Sequence, residues 1–478
     1  MVSSTPRGNL KAWGYAVMAM TTDADIGRDL ALAWANSFLC IEDGWVSHDK
    51  GLWKPVPREV MLAHVSDWIQ ENVQSFDPRE VHQLRSTKKA QAVLLQLAGR
   101  LQASLSSFDA DPFLFKTTDA VVDLRTGQER PPKPTDRFMR QAGVRYFPGA
   151  SRERLCKMLE AVPADAREWL QIQLGVALFG KQSPTPRVVI FKGAGRNGKT
   201  TLMNAVYAAL GTYAGRLDPE AISGGGRTNP EYHLAMLKGI RYLVAEELED
   251  KMLNEAVIKR ITDSGSAKGR NPGGRPFDFV LTHDLYISTN ASLRIRSHNL
   301  GTTRRFVEVP FPYTFAADPV STNERALDTA VKEWFDTPRE EILAWLIEGA
   351  ARAHAQPELL DSAHLPPSVR TATEDWSSSQ NIAAEFVSLR LETDESGYIT
   401  NTELLSEYNS FRSRHGHGPV STPTMLDELR NTVLSGMIPA TVREQPTRGT
   451  RDRRDRAILG LRLKSESDNT EEASRGLF

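Results

Sequence analysis

The apolar positions change their period along the chain. Between Asp25 and Phe38 they recur at the three- and four-residue spacing of an amphipathic helix, and Gly44–Trp53 then predicts a hairpin pivoting on Asp49-Lys50-Gly51. Helical spacing returns over Pro57–Gln74 and Arg79–Ala103. A strand-rich segment follows, carrying Phe113–Phe115 and Ala120–Gly127, until Pro131, Pro132 and Pro134 break it off. From Ser151 to Phe179 the pattern is helical again, with Leu155, Met158, Leu159, Trp169, Leu170, Ile172, Leu174 and Leu178 on compatible spacings.

Beyond this point the texture is different. The runs Val188–Phe191, Tyr242–Ala245 and Leu285–Ser288 are too short for helices and are apolar throughout, as parallel strands covered on both faces are, and helix-patterned stretches separate them. A predicted helix over Arg339–Ala353 closes the region. Gln356–Ser379, with Pro357, Pro366, Pro367 and Ser377–Ser379, reads as a linker. Three further helices are predicted over Ile382–Leu391, Asn401–Arg414 and Thr422–Leu434, and strand-like runs Met437–Val442 and Ala457–Leu463 flank an arginine-rich loop. The expected fold class is α/β, divided into a loose start (1–24), an α+β N-terminal domain (25–150), an α/β core with leading and trailing helices (151–355), a linker (356–379), a winged-helix-like domain (380–464) and a disordered tail (465–478). No internal repeat is visible.

Composition changes this picture little. A chain of 478 residues calls for several domains, and 40% hydrophobic with 25% charged residues excludes collagen-like and wholly disordered chains. With 59 basic against 60 acidic residues, a uniformly basic nucleic-acid binder is excluded, although local patches are not. The only cysteines, Cys40 and Cys156, lie too far apart for paired zinc spacing, and a reducing cytoplasm fits them. No apolar run approaches the ~18 residues that span a bilayer, so no membrane association is expected. Ala12–Met20 imitates a signal sequence, but Gly14 interrupts it and Thr21–Asp25 is a poor cleavage region. His48, His82, His298, His415 and His417 are scattered or lie in turns and read as solvated residues rather than metal ligands.

The chemistry concentrates at Gly193-Ala194-Gly195-Arg196-Asn197-Gly198-Lys199-Thr200, a complete G-x-x-x-x-G-K-T after a predicted strand and before a helix starting near Thr201. Glycines let successive N–H groups face a phosphate, Lys199 reaches the β- and γ-phosphates, and the Thr200 hydroxyl ligates Mg²⁺, which makes this a P-loop for ATP. Glu246 and Glu247 end the next apolar run. They suit a magnesium-side carboxylate (Glu246) and a catalytic base (Glu247), or, with Glu249 and Asp250, the acidic first turn of a helix. Asn290, ending Leu285–Thr289, can orient a water or touch the γ-phosphate, and is equally a turn former. Arg304 and Arg305 before Phe306–Phe311 suit either a salt-bridged surface or a finger reaching a neighbouring subunit's ATP site. Lys268, Arg270 and Arg275 sit on a predicted hairpin whose flexible positive tip can grip phosphates without reading bases, or merely be solvated. Between Arg443 and Lys464 there are eight basic and three acidic residues, including Arg451, Arg453, Arg454 and Arg456. This suits a wing holding duplex backbone, or a disordered charged loop whose alternating Arg and Asp partly neutralise each other.

In order, Gly193–Thr200, Leu243–Glu247, Ile258–Thr262, Tyr286–Asn290 and Thr303–Phe311 resemble the A, B, B′, C and arginine-finger motifs of superfamily 3 helicases. More closely, the chain resembles the phage and plasmid primase-helicase family related to the poxvirus primase-helicase. Val121–Gly127, Trp169–Gly180 and Glu341–Gly349 are similar to the segments flanking the helicase in that family, and the likeness covers about residues 30–460. One departure is Asp263-Ser264-Gly265-Ser266, where many relatives carry Gly-Asp. The resemblance implies an AAA+-like ATPase assembling into a ring, usually a homo-hexamer, with Asn290 as its sensor and Arg304, or Arg305, as the finger. It implies 3′-to-5′ translocation with single-stranded DNA in the ring channel, in the replication of a phage or mobile element in a bacterial host cytoplasm. No carboxylate constellation for primer synthesis is visible and only about 24 residues precede the family segment, so priming is expected to be absent or supplied by another protein. The alternative role is an ATP-switched origin-binding scaffold that recruits host replication proteins and unwinds little itself.

Overall fold

The computed structural model describes residues 22–72, 83–182, 188–223, 230–246, 248, 252–263, 265–270, 276–295, 304–415, 418–433, 445–448 and 454–464. The first helix, Asp23–Trp34, is capped by Thr22, whose hydroxyl accepts from the Asp25 N–H, and it buries Ile26 and Leu30. It stops four residues before the expected Phe38, because Phe38–Ile41 instead pairs antiparallel with Gly44–Asp49. Gly44–Asp49 in turn pairs with Leu52–Val56 across Lys50 and Gly51, both at positive φ (50° and 82°), the geometry of a tight two-residue hairpin turn. Helices Arg58–Asn72 and Thr87–Arg100 pack Met61, Val65, Val93 and Leu97 against Ile26 and Leu30. A second small sheet, Leu114–Lys116, Val121–Asp123 and Gln128–Arg130, completes this half.

The centre of the molecule is a five-stranded sheet. From edge to edge it runs Phe306–Pro310, Val188–Lys192, Asp284–Thr289, Tyr242–Ala245 and Ala214–Arg216, with every neighbouring pair parallel. The side chains alternate between two cores. Val189, Phe191, Tyr242, Val244, Tyr286, Val307 and Val309 join the cluster that includes residues of helices Arg167–Val176, Lys199–Leu210 and Glu340–Ala355. Val188, Ile190, Leu243, Ala245, Leu285, Ile287 and Phe306 join Ile258, Ile261, Phe279 and Trp376 on the other face. This explains the unbroken apolar runs, since each residue meets a core whichever way it points.

The stretch 356–379 is not the linker that its prolines and serines suggest. Pro366 caps and Pro367 begins a helix, Pro367–Ser379, where a proline's fixed φ and missing N–H cost nothing. Its Val369 and Trp376 are buried. The Trp376 ring lies 4.8 Å from Phe306 and its indole N–H donates to the Leu293 carbonyl at 3.0 Å. The Thr373 hydroxyl accepts the Glu308 N–H at 3.0 Å, satisfying a donor on the sheet's edge strand.

Beneath this helix Glu308 is 4% exposed, with Lys192 Nζ 3.5 Å from its carboxylate. Burial outweighs the lysine and raises its pKa to about 7. Between its ordinary value of 4.5 and about 7 the folded state therefore binds more protons than the unfolded one, and stability falls as pH rises through that window. Glu308→Gln should remove this decline. The stability of the variant relative to wild type, from urea melts, should increase by about 2.5 kcal/mol between pH 5 and pH 8; parallel curves would place the ionisation elsewhere.

After helix Ile382–Arg390 come strand Leu391–Thr400, helices Asn401–Arg414 and Thr422–Val433, and strands Gln445–Arg448 and Arg454–Leu463. The three strands form an antiparallel sheet with Arg454–Leu463 in the middle. Leu391–Thr400 is not foreseen in the sequence because its pairing shifts register between Thr393 and Tyr398, which breaks the alternation that marks a strand. The expected strand Met437–Val442 lies outside the described residues, as do the start 1–21 and the tail 465–478.

Candidate functional site

Because the central strands are parallel, their carboxyl ends share one edge, where open α/β sheets bind ligands. Val188–Lys192 delivers the chain there into the loop 193–198, and helix Lys199–Leu210 begins directly after it. Gly193 is required sterically: a Cβ would come 2.2 Å from Asn197 Nδ2 and 2.3 Å from the Phe311 carbonyl oxygen. Gly198 has φ 80° as the helix's N-cap residue, and Arg196 is also left-handed at φ 58°. The loop is pinned to the distant strand Thr314–Ala316 by the Arg196 carbonyl, which accepts from the Phe315 N–H at 2.8 Å. Gly195 has open space around it and no steric reason to lack a side chain.

Lys199 is 3% exposed. Its ammonium donates to the Gly193 carbonyl at 2.5 Å and to the side-chain oxygens of Asn197 and Asn290, each at 3.0 Å. Asn290 follows the adjacent strand Asp284–Thr289, whose Thr289 is in register with Lys192. Residues 97 positions apart at the extremes of this sequence, from Gly193 to Asn290, thus meet around one cation. Ala194, Gly195, Arg196 and Thr200 are exposed, while Gly193, Gly198 and Thr201 are half-buried.

One strand further along, Glu246 follows Tyr242–Ala245. Its Oε2 accepts from Arg216 Nη1 at 2.9 Å, while its Oε1 is buried without a hydrogen-bond partner among the described residues. An orphaned carboxylate oxygen and an exposed hydroxyl on Thr200 are donor types that suit a hard cation and its waters. Among the described residues, no group of three or more His, Cys, Asp and Glu side chains is placed to hold a metal by itself. Glu247 lies outside the described residues.

Arg304 and Arg305 are at the opposite end of the sheet. They precede strand Phe306–Pro310, and the Arg305 carbonyl accepts from the N–H of Val188, the first residue of its strand. A five-residue strand spans ~16 Å, so neither arginine reaches the glycine loop of its own chain. Arg305 is 16% exposed and ion-paired with Asp263, whereas Arg304 is exposed. Lys268 and Arg270 alternate on Ser266–Arg270 with the buried Ala267 and Gly269, so both project from the exposed face of the hairpin made with Pro276–Val280. Arg275, at the tip, lies outside the described residues, as do Arg451 and Arg453. Arg454 and Arg456 belong to strand Arg454–Leu463, three residues longer than expected, and not to the loop before it.

Sequence reading misses three pairings: Arg216 with Glu246, Lys192 with Glu308, and Asp263 with Arg305. Each joins neighbouring strands or a helix end to a strand start, and no fixed spacing announces such a contact.

Residues 35–173 match the family described as D5 N terminal like. The chain is 25% identical over 302 residues to protein 022R of frog virus 3, which is named for a helicase role; the match covers 58% of this chain and 30% of that protein. It is 25% identical over 239 residues to an African swine fever virus protein named for a primase role, covering 47% of this chain and 24% of that one. The chain therefore spans less than a third of the length of these relatives. Among solved structures, two apo structures of the NrS-1 C-terminal region, both in its A form, each cover 92% of this chain, at 10% identity with TM-score 0.46 and at 9% with TM-score 0.48. The expected likeness to primase-helicases is borne out, and the described fold is mixed α/β with a parallel sheet. No helix among the described residues is long and apolar enough to cross a membrane.

Proposed function

We propose that the chain is the ATPase and DNA-translocating part of a replicative helicase of superfamily 3 type, working as a ring, usually a homo-hexamer, for a phage or mobile element in a bacterial host cytoplasm. One observation carries this reading: the loop Gly193–Gly198, Lys199 and Asn290 converge at the carboxyl ends of two adjacent parallel strands, with Glu246 on the next. Residues 193–201 cradle ATP through loop N–H groups and the helix N-terminus. Lys199 exchanges its neutral oxygen acceptors for phosphate oxygens, which bind an ammonium more strongly because they are charged. Thr200 and Glu246 would hold Mg²⁺, which supplies charge neutralisation at the phosphates when bound. Glu247 is the base that activates water, and Asn290 senses the γ-phosphate while touching the same lysine.

The finger is Arg304 of a neighbouring subunit, since Arg305 is committed to Asp263. Lys268, Arg270 and Arg275 grip single-stranded DNA in the channel. The C-terminal segment supports a winged helix because its order, helix, strand, two helices, two strands, with the last strand central, is that module's order. Helix Thr422–Val433 would then enter a duplex groove, and Arg451, Arg453, Arg454 and Arg456 hold backbone. The direction, 3′-to-5′, follows the family likeness alone.

The test is strand displacement. Purified protein with Mg²⁺ and ATP should separate a forked duplex carrying a 3′ tail, and negative-stain images should show closed rings. ATP hydrolysis without any displacement would favour the scaffold role, and no hydrolysis at all would end the ATPase reading.

A further inference from the structure

Arg216 is a feature that no motif contains. It ends the edge strand Ala214–Arg216, where its register partner is Val244, two residues before Glu246. Its guanidinium is held on three sides: Nη1 donates to Glu246 Oε2 at 2.9 Å, Nη2 donates to Asn204 Oδ1 at 2.7 Å, and the group lies over the Tyr207 ring with its carbon 4.7 Å from the centroid. Asn204 and Tyr207 stand three apart on one face of helix Lys199–Leu210, the helix that begins at the phosphate-binding lysine. The arginine therefore fastens the carboxylate at the end of one strand to the helix that carries Thr200.

The consequence lies in which carboxylate oxygen is taken. Oε2 is occupied by Arg216, and Oε1 is left buried with no hydrogen-bond partner among the described residues. A carboxylate free to rotate would present either oxygen, whereas one held at Oε2 presents Oε1 in a fixed direction. A cation this close also repels Mg²⁺, but the Arg216 side chain is 48% exposed and its field is screened by water, while the orienting bonds are not. Orientation should win. We propose that Arg216 is a positioning residue for magnesium: it fixes the Glu246 carboxylate against the nucleotide-binding helix so that Oε1 faces the ion or its water, with Asn204 and Tyr207 holding the arginine in place. The proposal rests on the nucleotide reading of the site given above.

The experiment separates the two. A fluorescent ATP analogue is titrated onto the full chain in EDTA and again across a Mg²⁺ series, and the Mg²⁺ concentration giving half of the metal-dependent tightening is read. In wild type the analogue should bind in EDTA and tighten with Mg²⁺. Arg216→Ala should leave the EDTA affinity unchanged and raise the Mg²⁺ midpoint ~10- to 100-fold, the usual cost of losing a partner that orients a metal ligand. Asn204→Ala should shift the midpoint in the same direction by less, because the arginine keeps its bond to Glu246. Arg216→Lys restores the charge without the two-armed fork, and it should fall between wild type and alanine; it also serves if the alanine variant melts early. A wild-type midpoint in Arg216→Ala or Arg216→Lys overturns the proposal, and so does a lowered one, which would make the arginine a competitor of the ion. Wild-type protein that binds no analogue in any buffer overturns the nucleotide reading itself.

Discussion

Replacing Lys199 by alanine should reduce ATP turnover by at least ~10²- to 10³-fold, the scale on which one preorganised charge acts on a transition state in a water-poor site. The environment of the lysine decides how cleanly this can be measured. It is 3% exposed and donates to Gly193, Asn197 and Asn290, of which Asn197 is itself buried, so its removal also leaves that buried amide oxygen without this donor, at roughly 1–3 kcal/mol. The variant should therefore melt at a lower temperature while still folding cooperatively. Turnover measured well below that melting point isolates the chemical loss. Wild-type turnover in a folded Lys199→Ala protein would sink the ATPase assignment altogether.

The second large effect is expected at a residue that cannot touch the site in its own chain. If Arg304 completes a neighbour's site, Arg304→Ala should cost about 10³- to 10⁵-fold in turnover, as loss of an arginine finger does elsewhere. Its melting temperature should stay near wild type, because Arg304 is exposed. Arg305→Ala should behave differently, losing stability with its Asp263 pairing. Mixing Lys199→Ala with Arg304→Ala chains before assembly creates interfaces that combine an intact lysine from one with an intact arginine from the other. Measurable hydrolysis should return in the mixture, provided that subunits do not fire in strict sequence. Normal turnover in Arg304→Ala alone would reject the residue as the finger.

How much was legible in the sequence depended on whether a signal was local. The central strands showed as apolar runs because burial on both faces leaves no polar position to interrupt them, and the hairpin turn showed because Lys50-Gly51 accommodates two positive φ angles. The glycine loop was legible because its spacing is local and the positive φ of Gly198 arises within it, although the Phe311 carbonyl that also crowds Gly193 comes from a distant part of the chain. What stayed hidden was set by contacts across the sheet. Proline in 356–379 punctuates in the sequence but initiates a helix in the fold, and Trp376 is buried there against Phe306 and Leu293, both far upstream in the sequence. Nothing near Lys199 in the sequence says that Asn290 will share its proton donors, and nothing near Glu246 points to Arg216.

The helix Pro367–Ser379 also constrains how such a chain can be rearranged in evolution. Exchange of the C-terminal segment between related chains is easiest where few contacts cross the joint, and composition would put that joint at 356–379. A crossover there would replace Trp376 and strip the cover from Phe306 and the buried Glu308. It would also remove Gln380, whose amide donates to the Leu293 carbonyl at 2.9 Å and whose oxygen accepts the Ile295 N–H at 3.0 Å. A viable joint lies after Gln380, so this helix should be inherited with the sheet it covers and not with the module it precedes.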